Sequence, residues 1–129
     1  MCLMETIFIV DDNPMFIDLI TIIFANEGYH VRSACDPIQA LDEIKASPPD
    51  LLLIDMAMPR MSGIELVAEL QRQGLSEIPV LLMTAGAYRL EHLPENILDV
   101  FTKPLDVAEL VSMVRGVYCQ ENVLVPAQH

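Results

Sequence analysis

The chain has 129 residues, with 7 basic against 19 acidic residues and a net charge of −12. This length suits one domain, and a hydrophobic fraction of 53% allows a buried core and excludes a disordered tail. The acidic balance argues against direct binding of DNA or RNA, because a protein that follows phosphates needs a basic surface.

The cysteines and the apolar runs indicate a cytoplasmic protein. Cys2, Cys35 and Cys119 have neither C-x-x-C nor metal-ligand spacing, so we expect free thiols in a reducing cytosol. The longest apolar runs, such as residues 19–25, are too short to cross a bilayer, and the N-terminus lacks the pattern of a signal peptide.

The first part of the chain predicts two strands around one helix. Residues 6–10 (TIFIV) form a continuous apolar run, which is typical of a strand covered on both faces. Asn13 and Pro14 supply an N-cap and a first-turn proline, and Gly28 ends the helix that follows. Residues 29–34 are less apolar, which favours a strand nearer the edge of a sheet.

The same alternation continues through the middle of the chain. Asp36 and Pro37 begin a second helix, and residues 51–55 (LLLID) predict a third, buried strand. Ser62 and Glu65 have capping-box spacing and begin a third helix, which we expect to end near a following glycine.

The last part of the chain predicts two strands and a final helix. Residues 78–84 (IPVLLMT) form the fourth strand and residues 100–102 a short fifth one. Asp106 and Glu109 repeat the capping pattern before a helix that extends to about Tyr118. Strands alternating with helices predict an α/β fold, a parallel sheet with helices on both faces. We assign residues 1–120 to this domain and residues 121–129 to a C-terminal tail.

Polar side chains follow the strands at the points where they end. In such sheets these residues meet at one edge. Three close carboxylates repel one another unless a cation lies among them, and hard oxygen ligands suit Mg²⁺. A lysine and a threonine hydroxyl beside the metal would bind an anion, so the pattern predicts a site for a phosphoryl group. The residues are Asp11 and Asp12 after the first strand, Asp55 at the end of the third, Thr84 at the end of the fourth and Lys103 after the fifth.

Each of these residues has an ordinary structural explanation when it is taken alone. Asp11 and Asp12 precede a helix and could be capping residues, and a carboxylate such as Asp55 often begins a turn. Thr84 could be a β-branched strand residue, and Lys103 could lie in a solvated loop. Their occurrence in this order at these strand ends favours a functional site.

Four stretches of the sequence resemble the receiver domain of two-component response regulators. They are FIVDDNP, LLLIDMAMPRMSGIEL, IPVLLMTA and TKPLD, within a resemblance that extends from residue 5 to about residue 118. The most specific motif is D-x-x-M-P-x-M-x-G, which begins at Asp55. The resemblance implies a flavodoxin-like, doubly wound sheet of five parallel strands in the order 2-1-3-4-5.

The resemblance also implies a role for each site residue. Asp55 would be the phosphoacceptor and a metal ligand, Asp12 a direct Mg²⁺ ligand and Asp11 a ligand through water. The backbone carbonyl of Ala57 would complete the metal shell, while Thr84, the backbone N–H of Ala85 and Lys103 would bind the phosphoryl oxygens.

The implied partners are proteins. The donor would be a phosphohistidine on a sensor histidine kinase or a histidine phosphotransfer protein, since the sequence has no P-loop for ATP. The signal would pass to a downstream protein target, and a homodimer is a further alternative. The domain would not be an enzyme beyond catalysing its own phosphorylation and dephosphorylation.

Two departures from the family pattern affect the switch. Val100 occupies the position, three residues before Lys103, where the family has an aromatic residue. Phe101 is adjacent, but strand alternation directs it to the opposite face. The segment from Thr84 to Lys103 is also shorter than usual, so we hypothesise an atypical surface in place of the family's fourth helix.

Three other functions fit parts of the pattern. A phosphorylation-independent, receiver-like interaction module would keep the fold and would be favoured by a failure to bind Mg²⁺. Aspartyl-phosphate hydrolases carry D-x-D-x-T after the first strand, where this chain has DDNP. A flavin-binding protein of the same fold would need a phosphate-binding loop where this chain has two carboxylates.

Overall fold

The computed structural model describes residues 5–86 and 93–122. Its five strands are β1 (Thr6–Val10), β2 (His30–Ala34), β3 (Leu51–Asp55), β4 (Val80–Thr84) and β5 (Ile97–Thr102). Its helices are α1 (Pro14–Asn26), α2 (Pro37–Ala46), α3 (Gly63–Arg72) and α4 (Val107–Asn122). All neighbouring strands pair in parallel, in the order β2-β1-β3-β4-β5, which confirms the predicted flavodoxin-like sheet.

Helices cover both faces of the sheet, and a separate apolar core lies under each face. Side chains from α1 and α4 pack on one face, where Ile17 and Leu110 belong to the same core as Ile9. Side chains from α2 and α3 pack on the other, where Ile44 and Leu66 meet alternate residues of β1, β3 and β4. Every residue of β3 and β4 is buried, which explains their continuous apolar sequences.

The predicted capping residues begin the first three helices. The side chain of Asn13 accepts hydrogen bonds from the first turn of α1, and Asp36 accepts one from the first turn of α2. Ser62 and Glu65 form a complete capping box at α3. Gly28, after α1, has φ of 97°, a left-handed conformation that glycine adopts at little cost.

The end of the sheet differs in length from the prediction. β5 begins at Ile97, three residues before the predicted start at residue 100, because Leu98 and Asp99 are exposed on this edge strand and interrupt the apolar run. Phe101 is buried in the core beneath α1 and α4, whereas Val100 packs against the opposite core. The predicted separation of these two side chains is therefore confirmed.

The connection between β4 and β5 holds the least regular structure. Residues 85–86 form a bend and residues 95–96 a turn, residues 93–94 have no regular structure, and none of these six described residues is helical. The hypothesised fourth-helix surface falls partly on residues 87–92, outside the described residues, and stays a prediction. The domain boundary after residue 120 also stays a prediction; in the structure α4 continues two residues past it, to Asn122.

Among the helices in residues 5–86 and 93–122, none is long and apolar enough to cross a membrane.

A glycine lets α3 begin directly beside the end of β3. The backbone N–H of Gly63 donates to the carbonyl of Met56 at 2.8 Å. A Cβ atom on Gly63 would lie 2.7 Å from the carbonyl oxygen of Asp55 and 3.1 Å from Cγ2 of Ile54. Both the backbone and the core side chain would therefore have to move to admit any side chain at this position.

Gly63→Ala should destabilise the fold, although alanine is normally the better helix former. We expect the free energy of unfolding to fall by about 1–3 kcal/mol, the usual cost of overpacking. The control is Gly116→Ala within α4, where an added Cβ meets nothing within 4 Å and stability should rise by about 0.5–1 kcal/mol. Urea unfolding at neutral pH measures both, and equal changes in the two variants would contradict the steric argument.

Candidate phosphoryl site at the sheet edge

Three carboxylates meet where β1 and β3 end. Asp11 and Asp12 follow β1 directly, and Asp55 is the last residue of the neighbouring strand β3. One carboxylate oxygen from each lies within 4.8 Å of the others. Asp11 and Asp55 are buried, whereas Asp12 is exposed. The cluster is therefore in contact with solvent mainly through Asp12.

A tight turn fixes Asp11 between the strand and the first helix. Its backbone N–H donates to the carbonyl of Ala34 on β2 at 3.3 Å, which continues the sheet pairing by one residue. Its Oδ1 accepts a hydrogen bond from the backbone N–H of Asn13 at 2.9 Å. The Asn13 side chain in turn caps α1 through the N–H groups of Met15 and Phe16. Asn13 thus links the position of the Asp11 carboxylate to the first turn of α1.

Lys103, which follows β5, brings a positive charge into the carboxylate cluster. Its Nζ donates to Oδ2 of Asp11 at 2.7 Å and lies 3.6 Å from Oδ1 of Asp55. Its backbone N–H donates to the carbonyl of Thr84 at 2.7 Å, which holds the ends of β4 and β5 together. The ammonium also lies 4.4 Å from the centre of the Phe16 ring, within the range of a cation–π contact.

Thr84 and Ala85 lie at the same edge, at the end of β4. Thr84 is buried, and its hydroxyl donates to the carbonyl of Gly86 at 3.1 Å and accepts from the N–H of Gly86 at 3.3 Å. Ala85 is exposed. The hydroxyl is therefore engaged by its own loop in this structure.

The loop between β3 and α3 forms the other wall of the site. The backbone N–H of Ala57 hydrogen-bonds the Asp55 carboxylate, and the Ala57 side chain is exposed. An open cleft of about 500 Å³ lies beside the carboxylates. It is lined by Asp12, Met56, Ala57, Met58, Pro59 and Ser62. The cleft reaches the carboxylate cluster at Asp12 and gives a group from solvent room to enter there.

The surroundings of Asp55 raise the pKa of its carboxyl above the ordinary value of 3.8. The largest cause is burial, which disfavours the charged form, and the negative charge of Asp11 adds to it. Lys103 and the Ala57 N–H act in the opposite direction but do not cancel the effect. The charged form of Asp55 is therefore disfavoured in free energy, and a cation bound nearby would reduce this penalty.

The donor set fits a small, hard divalent cation. Three carboxylates within 4.8 Å offer only oxygen ligands and an excess of negative charge. Mg²⁺ binds such sites through few carboxylates and keeps several of its waters. The exposed side of Asp12 leaves space for those waters and for a further anionic ligand.

The sequence model of the family described as the response regulator receiver domain matches residues 7–115. The chain belongs to that family. Apart from Thr6, the match covers all five strands, and it also covers the first part of α4 and each of the site residues described above. This family membership and the carboxylate cluster together make the chain a receiver domain of the two-component response-regulator kind, with an edge site suited to phosphorylation.

Curated relatives agree with the family assignment. The chain is 32% identical over 117 residues to the DNA-binding dual master transcriptional regulator RpaA of Synechocystis, covering 88% of this chain and 48% of the relative. It is 31% identical over 115 residues to the DNA-binding response regulator MtrA of Mycolicibacterium smegmatis, covering 87% of this chain and 50% of the relative. The chain thus spans about half the length of these relatives, whose names include DNA binding. The expectation of no direct nucleic-acid contact stays a prediction.

Solved structures share the fold. The receiver domain of the Francisella response regulator 1452 superposes with a TM-score of 0.82 at 28% identity, covering 91% of this chain and 98% of that one. The Thermotoga maritima response regulator TrrA, solved in complex with Mg²⁺ and BeF, gives a TM-score of 0.79 at 27% identity. The alignment covers 88% of this chain and 99% of TrrA.

The structure brings the predicted site residues to one edge, and it adds one that the sequence did not reveal. The three aspartates and Lys103 are in direct proximity, and Ala57 contacts Asp55. Phe16, which faces the ammonium of Lys103, was not predicted, because its position in α1 has the spacing of an ordinary core residue. No local sequence signal separates these two possibilities.

Replacing Asp55 by asparagine should stabilise the metal-free protein at neutral pH. A carboxyl whose folded pKa is raised favours folding below its unfolded pKa, near 3.8, and loses that contribution as pH rises through the folded pKa. At pH 7 the charged Asp55 carboxylate therefore destabilises the wild-type fold, and Asp55→Asn removes this destabilisation. We expect a higher free energy of unfolding for the variant at pH 7 and a difference that narrows towards pH 4.5.

Urea unfolding across this pH range in EDTA measures the effect. Asp42→Asn, on the exposed surface of α2, is the control for loss of one negative charge and should not show the same pH dependence. An Asp55→Asn variant that is less stable than the wild type at pH 7 would contradict the assigned electrostatics.

Proposed function

We propose that this receiver domain accepts a phosphoryl group on Asp55 and passes the signal to a protein partner by a change of conformation. The single observation that carries the proposal is the position of Asp55, buried at the end of β3, 3.6 Å from Lys103 and clustered with Asp11 and Asp12. A carboxylate held anionic in such surroundings is suited to act as a nucleophile.

The transfer step requires little covalent chemistry from the protein. One carboxylate oxygen of Asp55 forms a bond to phosphorus while the bond from phosphorus to the donor nitrogen breaks, and the nitrogen keeps that electron pair. The product is an acyl phosphate on Asp55. Because charge spreads over the equatorial phosphoryl oxygens in the transition state, catalysis depends mainly on positioning and electrostatics. The domain catalyses only its own phosphorylation and dephosphorylation.

Asp12 and Asp55 would bind Mg²⁺ directly, Asp11 would bind it through water, and the backbone carbonyl of Ala57 would complete the protein ligands. The clustering of the three carboxylates supports this assignment. Bound Mg²⁺ would offset the repulsion between Asp55 and the incoming phosphoryl oxygens. The Mg²⁺ and BeF complex of the similar protein TrrA also favours it.

Thr84, Ala85 and Lys103 would bind the phosphoryl oxygens. The Lys103 ammonium lies 2.7 Å from Oδ2 of Asp11 and 3.6 Å from Oδ1 of Asp55, close enough to the phosphoacceptor to contact such an oxygen. The Thr84 hydroxyl is engaged by Gly86, so we expect it to exchange that partner for a phosphoryl oxygen. This exchange would move the loop after β4, a local charge event that changes a surface some distance away.

The partners follow from family membership. Receiver domains interact with histidine kinases and with downstream targets, and one relative is the hybrid signal transduction histidine kinase D of Dictyostelium discoideum. For this chain we propose a sensor histidine kinase or a histidine phosphotransfer protein as the donor, a protein as the downstream target and the cytoplasm as the location. A homodimer and a separate tail over residues 121–129 are further proposals.

The first experiment is phosphorylation by a small-molecule donor. Incubation with acetyl phosphate and Mg²⁺ should add one phosphoryl group, with acetate as the leaving group, and intact-protein mass spectrometry measures the gain. The gain should be absent in EDTA and in Asp55→Asn. Asp42→Asn is the control and should be modified like the wild type.

If the folded wild type binds Mg²⁺ but gains no mass, it does not accept a phosphoryl group from small-molecule donors. Incubation with a phosphorylated histidine phosphotransfer protein then decides between a strict need for a protein donor and the phosphorylation-independent module. Modification of Asp55→Asn at the wild-type rate would place the phosphoacceptor elsewhere.

The exposed face of α1 is the surface on which we propose that the donor protein docks. Met15, Leu19 and Ile22 have helical i, i+4, i+7 spacing and exposed fractions of 79%, 53% and 60%. Met15 lies in the first turn, next to the Asn13 cap and the carboxylate cluster. An apolar face that continues from the reactive edge can bind a donor while its phosphohistidine reaches Asp55.

Combining Leu19→Ala with Ile22→Ala should slow transfer from a protein donor without affecting acetyl phosphate. We expect a roughly tenfold or larger loss in the rate from a phosphorylated histidine phosphotransfer protein that modifies the wild type, since truncated contacts at interface centres cost more than about 1 kcal/mol. Ile38→Ala with Leu98→Ala removes exposed apolar groups elsewhere and serves as the control. Equal losses with both donors would argue for damage to the site instead of lost docking.

A further inference from the structure

Phe16 is an aromatic residue in the first turn of α1 that contacts Lys103 as well as the core. The centre of its ring lies 4.4 Å from Nζ of Lys103. The same ammonium donates to Asp11 at 2.7 Å and lies 3.6 Å from Asp55. The ammonium therefore contacts both the ring and Asp11 and lies close to Asp55.

Two features hold the ring in place. The backbone N–H of Phe16 donates to the side chain of Asn13, so the residue has a fixed position in the first turn. Its side chain is partly buried and packs against the core beneath α1 and α4. The ring is thus a fixed surface, whereas the lysine side chain has four rotatable bonds and would otherwise be free to follow its charge partners.

The charges around Lys103 explain why a fixed aromatic ring at this position matters for the reaction. Lys103 makes its shortest contact with Asp11, which is not the phosphoacceptor. The hydrogen bond to Asp11 alone does not keep the ammonium beside Asp55, where the phosphoryl oxygens would arrive. The negative face of an aromatic ring attracts a cation and remains attractive when Asp11 changes its partners.

We propose that Phe16 is a positioning residue that holds the Lys103 ammonium beside Asp55 for phosphoryl transfer. The inference rests on the proposed function, since it assigns Phe16 a part in the same reaction. Phe16 does not touch the reacting atoms and acts only through Lys103. Loss of the ring should therefore lower the maximal rate of phosphorylation more than it changes the concentration of donor at half-maximal rate.

The test compares Phe16→Leu, which keeps an apolar side chain without a ring, with Phe16→Tyr, which keeps the ring. Phosphorylation by acetyl phosphate at saturating Mg²⁺ is followed by intact mass. We expect the maximal rate to fall roughly three- to tenfold in Phe16→Leu and to return to near the wild-type value in Phe16→Tyr. Phe24→Leu makes the same change in the same helix and core, and it should retain the wild-type rate.

A spectroscopic measurement on the wild type needs no variant. Protons next to the ammonium of Lys103 lie over the ring and should be shifted upfield by its ring current. The chain contains two lysines, and the exposed Lys45 gives an unshifted reference in the same spectrum. The upfield shift should be absent in Phe16→Leu and retained in Phe16→Tyr.

Three results would overturn the proposal: a wild-type rate in Phe16→Leu, an equal loss in Phe16→Leu and Phe16→Tyr, or unshifted Lys103 protons in the wild type. The last of these decides the matter even if Phe16→Leu does not fold. Failure of the proposed function is distinguishable, because the wild type itself would then gain no phosphoryl group while its Lys103 resonances could still show the ring contact.

Discussion

The repulsion among three carboxylates at one edge of the sheet is the constraint on which the site depends. Asp11, Asp12 and Asp55 lie within 4.8 Å of one another, and the pKa of Asp55 is raised because it is buried beside Asp11. Lys103 offsets part of this charge. These surroundings disfavour the charged form of Asp55 and attract a divalent cation.

The topology of the sheet produces this concentration of charge. The chain passes from β1 to one side to form β2 and then returns to form β3 on the other side, so a crevice opens between the ends of β1 and β3. The loops that follow β1 and β3 diverge, which leaves access to the ends of these strands. Gly63 lets α3 approach the end of β3 closely, which keeps the loop carrying Ala57 against the Asp55 carboxylate.

The first turn of α1 connects the structural and chemical parts of the site. Asn13 caps the helix and also donates its backbone N–H to Asp11, so the same residue positions a carboxylate and the start of α1. Phe16 follows in that turn and contacts Lys103, and Met15 begins the exposed apolar face. Changes to this turn should therefore affect both the Asp11 carboxylate and the position of the Lys103 ammonium.

The sequence by itself determined the order of the elements and the chemical character of the site. Buried strands such as Leu51–Asp55 have continuous apolar sequences, and capping residues such as Ser62 act on N–H groups a few positions away, so both leave local signals. Edge strand β5 was predicted too short, because its exposed residues resemble a loop. Only the tertiary structure decided that Phe16 lies over Lys103, that Lys103 binds Asp11 more closely than Asp55, and that Gly63 has no room for a side chain. These contacts join residues that are distant along the chain or packed across elements, and their energies depend on geometry that local sequence patterns do not encode.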